Sequence, residues 1–331
     1  MLRGRMSAIL SEHATPCETP TAMPKPAARV LDLTTHLAPA MPGIGSPNVL
    51  IGGQPAWRTL VDQHLCAIPI APPAPAPHGP EICYLGSTTV LVNYQMACRM
   101  GDILQGLGPP NPFLIGMVTV HIGDVGFGLA SAGSMNGYAA AMRAISKTWG
   151  AMTAAQRLAA IQAALNAALP PGMPALTLEP AALSATTMGQ LDFATWTVQV
   201  NQTMLQGAAM TEDQFADLSN TIYHETRHGE QWWNVAQHQA ANGTPASTIA
   251  HDMGIPQSVA TAAATNPAPR GTSQGAMGEA VQESVYGGRA GHREDVLNDA
   301  DHRYDDYRAL PEEEDAWRQG DAAEQAFRNT P

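Results

Sequence analysis

The sequence predicts a multidomain chain: a small all-β N-terminal part followed by a mainly α-helical C-terminal part. Three observations predict it. Composition changes near residue 130, with proline and glycine dense before that point. Before the change, short β-branched runs repeat between glycine turns. After it, apolar residues recur every three or four positions behind helix-start signals. At 331 residues the chain has room for two domains of ordinary size.

Residues 1–24 read as a flexible segment. "MLRGRMSAILSEHATP" has basic residues but lacks the continuous apolar core of a signal peptide, so any export is expected to use another route. The strands come next, in "NVLIGG", "TTVLVNY" and "MVTVHIG". "GIGSPNVLIGGQPAWR" aligns with "CYLGSTTVLVNYQMACR", and "FLIGMVTVHIG" reads as a degenerate third copy. One such unit cannot bury a face by itself, whereas stacked copies can. Recurrent proline leaves no room for a long helix there. The expected boundaries are 25–130 for this domain, 131–150 for a linker or first helix, and 151–331 for the helical domain.

In the second half, Thr153 and Gln156 form a capping-box signature. Leu158, Ile161, Leu165 and Leu169 make one apolar stripe, which Pro170, Pro171 and Gly172 end. A further helix is expected over about 187–206. Another begins at the capping box Thr211–Gln214 and runs to about Asn242. More helix is expected near 257–264, 276–286 and 312–327, with no strands.

Net charge is −12, from 17 basic and 29 acidic residues, which argues against a nucleic-acid partner. No segment approaches the ~20 apolar residues that span a bilayer. Cys17, Cys66, Cys83 and Cys98 are widely and irregularly spaced, without a C-x-x-C pair, which argues against a disulfide scaffold. Cys66 stands apart because His64 lies two residues before it.

The chemistry concentrates in "IYHETRHGEQWW". His224, Glu225 and His228 spell H-E-x-x-H, and positions i and i+4 share one helix face. Two imidazoles so placed reach one zinc ion, and the adjacent Glu225 can take a proton from the attacking water. Phe215, Leu218 and Ile222 supply apolar helix spacing upstream, and Trp232 and Trp233 are expected to pack in the core. A third ligand must come from elsewhere. His238 would lie about 15 Å further along the helix and is a poor candidate. Glutamates of later helices fit better: Glu279 or Glu283, or Glu312, Glu313 or Glu314 after Pro311. Asp315 is a candidate to hold a ligand histidine from behind. Tyr223, Tyr304, His292 and His302 are candidates to stabilise an oxyanion.

The runs "KPAARVLD", "IGSPNVLIGGQPAWR" and "LGSTTVLVNYQMACRMGD" resemble the PAAR-repeat family over about residues 25–128. The recurring Gly-Ser-x-x-Val strand and the Pro-Ala-x-Arg-type turns, Pro55–Arg58 and Met96–Arg99, carry the resemblance. The literal Pro26–Arg29 reads as lying ahead of the repeats, and the third copy as lacking its arginine. The resemblance implies a conical β-domain on a trimeric VgrG-like spike protein of a contractile injection machine, such as a type VI secretion system. It also implies a structural zinc held by three histidines and a cysteine, matching His36, His64, Cys66 and His78, with His121 in reserve. His64-x-Cys66 suits this chemistry, since a structural zinc wants a closed four-ligand shell and a tip with little core gains folding energy from a metal.

"YHETRHGEQWW" and "YRALPEEEDAW" resemble zincin-like metallopeptidase toxin domains, and that resemblance implies Glu313 as third ligand. The joint expectation is a spike-tip protein carrying a zinc-dependent hydrolase effector, acting on a protein or peptide substrate. It would be cytoplasmic before firing and secreted on the machine, with an immunity protein or chaperone as further partner. The alternatives are a non-enzymatic tip with a helical adaptor and a zinc-dependent cell-wall hydrolase.

Overall fold

The computed structural model describes residues 24–69, 77–87, 89–123, 132–184, 187–207, 209–287, 290–300 and 302–331. The readings made on Cys17 and on the first 23 residues lie outside them. The chain forms two compact units, one of residues 22–127 with 269–314 and one of 128–268 with 315–331.

Among the described residues the first unit holds ten strands: β1 (Lys25–Ala27), β2 (Leu50–Ile51), β3 (Gln54–Pro55), β4 (Gln63–Pro69), β5 (Pro77–Cys83), β6 (Leu91–Val92), β7 (Gln95–Met96), β8 (Ile103–Gln105), β9 (Asn111–Pro112) and β10 (Met117–Ile122). Its repeats close into a pseudo-threefold. Trp57 N–H donates to the Ala28 carbonyl (3.0 Å), Cys98 N–H to Trp57 (2.9 Å), and Ala28 N–H to Cys98 (2.9 Å). Bridges run Ala27 to Arg99, Arg29 to Ala56 and Arg58 to Ala97 in the same cyclic sense.

Each turn carries the same staple. Arg29 NH2 donates to Asp32 Oδ1 at 2.8 Å, Arg58 NH2 to Asp62 at 3.0 Å, and Arg99 NH2 to Asp102 at 2.8 Å. The backbone amide of each arginine also donates to its own aspartate. Leu31 (φ 70°), Leu60 (φ 63°) and Gly101 (φ 86°) take the left-handed conformation two residues after each arginine. Ala27, Ala56 and Ala97 pack with Ile51, Val92 and Ile122 in one core cluster, and Ala28, Trp57 and Cys98 lie in the next.

The literal Pro26–Arg29 is therefore one of the repeats. Strand β10 pairs antiparallel with β1, so the third copy takes its strand from residues 117–122 and its arginine turn from residues 26–29. Linear alignment hides this because the copy is split between the two ends of the region.

A four-stranded antiparallel sheet, in order β4-β5-β8-β9, flanks the repeats. The second unit contains α1 (Ala132–Thr148), α2 (Ala154–Ala168), β11 (Thr177–Ala181), β12 (Gly189–Asp192), β13 (Thr197–Asn201), α3 (Gln202–Gln206), α4 (Glu212–Ala241), α5 (Ala246–Met253) and α6 (Gln257–Thr265). Three more helices, α7 (Ser273–Tyr286), α8 (Ala290–Asn298) and α9 (Tyr304–Arg308), belong to the unit of the repeats. The last helix, α10 (Pro311–Asn329), begins in that unit and continues into the second.

This arrangement corrects the expected fold class. The fold is mixed α/β, because helices share the unit of the repeats and a sheet in order β11-β13-β12 lies in the other. The helix expected over 187–206 is β12, β13 and the short α3. Thr197, Val198 and Val200 favour the extended chain, and the side chains of Leu191, Val198 and Val200 are buried. Asp192 Oδ1 accepts from Ala194 N–H at 3.0 Å and turns the chain between the strands.

The other helices follow their signals. Gln156 N–H donates to Thr153 Oγ1 (3.3 Å), and Gln214 N–H donates to Thr211 Oγ1 (3.2 Å). Helix α4 is the central element of its unit, and every residue from Thr221 to His238 is buried. Tyr138 Oη on α1 donates to its Ser219 carbonyl at 3.0 Å. Trp232 stacks on Phe193 at 4.2 Å, and Trp233 is also buried. Among the described residues no helix is long and apolar enough to cross a membrane.

Candidate metal centres

The first cluster forms on β4 and β5. The two-residue strand period puts His64 and Cys66 on one face, and pairing sets Glu81 opposite His64. Gly79, opposite Cys66, has φ 77°, which breaks the pleat and brings His78 onto the same face. His36 arrives from the loop after Leu33. Its backbone amide donates to Asn111 Oδ1 at 3.0 Å, while Asn111 Nδ2 donates to Glu81 Oε2 at 2.7 Å.

His36 Nδ1 lies 3.4 Å from Cys66 Sγ, and His78 Nδ1 lies 3.5 Å from it. A tetrahedral zinc with bonds of about 2.3 Å to sulfur and 2.0 Å to nitrogen needs edges of roughly 3.5 Å. The donor atoms therefore already stand at the separations a zinc shell requires. Glu81 Oε1 is 3.8 Å from both His36 Nδ1 and His78 Nδ1, and His64 Nε2 is 4.0 Å from Glu81 Oε2. His36, Cys66, His78 and Glu81 form the tightest donor group. His64 adjoins it, with Nδ1 turned to the Met41 carbonyl at 3.1 Å and Nε2 buried.

Burial lowers the pKa of His36, assisted by His78 and His64, and burial also lowers those of His64 and His78. All three are thus kept as neutral imidazole, the form a metal binds. Burial pushes the Cys66 thiol up, so an ion must displace its proton. Sequence reasoning missed Glu81 as a member of this cluster. The available signal was its place in the strand beside His78, together with glycines that make room: a Cβ on Gly106 would meet Glu81 Cγ at 2.5 Å, and one on Gly108 would meet the His78 ring at 2.3 Å. His121 is exposed on β10, apart from the cluster.

The second cluster lies on α4 and the first turn of α10. His224 Nε2 and His228 Nε2 are 3.1 Å apart, close to the roughly 3.3 Å edge between two nitrogens on a tetrahedral zinc. With Glu313 they form a buried three-residue donor group. Glu313 is the second residue after Pro311, which opens α10, and Asp315 on the same turn accepts from Arg227 of α4 at 2.6 Å. The Trp317 ring packs edge-on against His224 at 4.6 Å.

Two of the acids expected as alternatives are engaged elsewhere. Glu312 accepts from Ser284 Oγ at 2.8 Å and pairs with Arg293, and Glu279 pairs with Arg270 at 3.1 Å. Glu225 Oε2 accepts from the Leu191 N–H of β12 at 2.8 Å. Gly189 on that strand lets α4 approach, since a Cβ there would meet Thr221 Cγ2 at 3.0 Å. Among the oxyanion candidates, Tyr223 is buried against Tyr138 (5.0 Å), and Tyr304 packs near Tyr307 (6.3 Å). His302 is exposed beside Asp299 (2.8 Å), and His292 lines a cleft with Gln105 and Asp306.

No protein-family model matches the chain, and neither a curated protein nor a solved structure matches it. Each of the two clusters places donor side chains to chelate a metal ion.

Proposed function

We propose that the chain is a spike-tip protein of a contractile secretion system of the type VI kind, carrying a zinc-dependent hydrolase, in the first instance a metallopeptidase. The observation that carries the hydrolase reading is the 3.1 Å approach of His224 Nε2 to His228 Nε2, with Glu313 completing the donor group. The pseudo-threefold hydrogen-bond ring through Ala28, Trp57 and Cys98 supports the tip reading, because it suits a trimeric spike partner. His36, His64, Cys66 and His78 would hold a structural zinc there, with Glu81 beside it.

At the second centre His224, His228 and Glu313 would hold the ion. Zinc would supply Lewis-acid polarisation of a carbonyl and bring the pKa of water near 7. Glu225 is the base: its carboxylate receives the proton of the attacking water and passes it to the leaving amine. The Leu191 amide orients that carboxylate.

One observation favours a second reading. His224, Glu225, His228 and Glu313 are each no more than 1% exposed, as suits a structural ion in a non-enzymatic adaptor. Elemental analysis of the full chain tests both centres. Two zinc ions are expected, falling to one in a His224→Ala/His228→Ala variant and to one in Cys66→Ser. A full chain with one zinc that survives the His224/His228 change would refute the hydrolase reading. Two zincs with no hydrolysis of denatured protein or peptidoglycan would favour the adaptor.

A further inference from the structure

The ring of His228 is backed by a relay of buried polar groups. Its Nδ1 lies 2.9 Å from Gln231 Oε1, Gln231 Nε2 donates to Asp315 Oδ2 at 2.9 Å, and Arg227 Nε donates to the same oxygen at 2.6 Å. Arg318 donates to Asp315 Oδ1 at 2.8 Å, and Glu230 pairs with Arg227 at 2.7 Å. Two cations and two anions balance: Arg227, Glu230 and Asp315 are closed to water, while the Arg318 side chain reaches the surface.

Chemistry lets this relay run in one direction. An ionised Asp315 only accepts, so Gln231 must present its NH2 group there. That leaves the Gln231 carbonyl oxygen facing His228, which must then carry its hydrogen on Nδ1. The lone pair falls on Nε2, the atom 3.1 Å from His224 Nε2. The opposite tautomer would set a lone pair on Nδ1 against a carbonyl oxygen in a buried site, where neither acceptor would find a donor in the other.

We propose that Gln231 and Asp315 are positioning residues that lock His228 in its Nδ1–H tautomer and so preform the metal centre on α4. The spacing explains how. Gln231 lies three residues after His228, on the same helix face. Asp315 lies two residues after Glu313, so the helix that delivers the third donor also delivers the anchor of the relay. The proposal deepens the zinc reading and rests on it for its purpose, although the tautomer exists without the ion.

The test uses the full chain and two readouts. The first is ¹⁵N NMR of histidine-labelled, metal-free protein, with the His228 signal assigned by its loss in His228→Gln. A protonated Nδ1 and a bare Nε2 are expected in the parent, and a mixture of tautomers in Asp315→Asn, whose amide frees Gln231 to turn. The second is zinc affinity by chelator competition. Gln231→Leu is expected to weaken the His224/His228 centre by about 10- to 100-fold while the Cys66 centre stays unchanged. A parent His228 protonated on Nε2, or unchanged zinc affinity in a folded Gln231→Leu, would overturn the proposal. If Gln231→Leu does not fold, the tautomer of the parent and of Asp315→Asn decides. A parent that binds no zinc at this centre refutes the zinc reading, while the tautomer still decides this one.

Discussion

The Leu191 amide donates to Glu225 Oε2 across 2.8 Å and so ties β12 to the acidic residue of the H-E-x-x-H motif. Asn201 N–H donates to the Met188 carbonyl, and Leu191 is paired with Val198 three residues further on. In the alternation of an antiparallel ladder this turns the Leu191 N–H away from β13, toward α4.

Leu191→Pro is therefore expected to keep the β12–β13 pairing, since proline is tolerated where a strand N–H points off the ladder. It removes the hydrogen bond to Glu225 and trims a buried side chain, so the comparison is made on a variant shown to fold. Far-UV circular dichroism should be unchanged and hydrolysis should fall about tenfold. Full activity in a folded variant would mean that Leu191 does not orient the base.

Glu225→Gln keeps an acceptor for Leu191 but cannot take a proton. Zinc content and melting temperature should match the parent, and turnover should fall by at least about 100-fold. A variant as active as the parent would place the base elsewhere.

Cys66→Ser removes the one sulfur donor of the first centre. Loss of one zinc per chain and a drop in melting temperature of about 5 °C or more are expected. Equal stability of variant and parent would remove the structural metal from this centre.

Zinc at that centre should be sensitive to acid. His36, His64 and His78 have folded-state pKa values held below the unfolded value of about 6.5, chiefly by burial. Their neutral forms thus favour the fold: this stability is complete above about pH 6.5 and is lost as pH falls through that value toward the lowered folded ones. The raised Cys66 thiol adds one displaced proton, so zinc affinity should fall by about tenfold per unit of acidification. Chelator competition in the His224→Ala/His228→Ala variant checks this, and a flat profile would exclude thiolate ligation.

Arg157 is a structural prediction independent of metal. Its guanidinium, buried under α2, donates to the carbonyls of Trp149 (2.8 Å), Leu205 (2.7 Å) and Gly207 (2.6 Å), with the Trp149 ring 4.5 Å away. Arg157→Met strands these buried acceptors and should cost about 3 kcal/mol in urea unfolding. A loss below about 1 kcal/mol would show that water replaces the donor.

Local signals in the sequence were read well where one segment held the whole pattern. The capping boxes at Thr153 and Thr211 start helices as expected, because both partners lie within four residues. The H-E-x-x-H spacing brought His224 and His228 together because helix pitch alone does so. A pattern that is split or short is not legible in this way. The third repeat is divided between β10 and β1, ninety residues apart in the chain. Strands β12 and β13 have four and five residues, too few for their period to outweigh a helical reading. Glu81 carries no spacing signal toward His36, since only the pairing of β4 with β5 and the bond from Asn111 place it there.

By itself, the sequence determined the helix that bears the H-E-x-x-H motif, the His64-x-Cys66 pair and the arginine turns at Arg58 and Arg99, all of which follow from short-range stereochemistry. Tertiary structure decided which strand closes the repeat and which side of β12 faces Glu225, and it set Glu313, among the glutamates that the spacing left open, with the two histidines. Those choices turn on burial: Glu312 is drawn to Ser284 and Arg293, Asp315 is drawn to Arg227, and Glu313 is left on the side of α10 that meets the two imidazoles. Charges withdrawn from water settle against whichever partners the packed helices bring within a few ångströms, and no spacing along the chain encodes that distance.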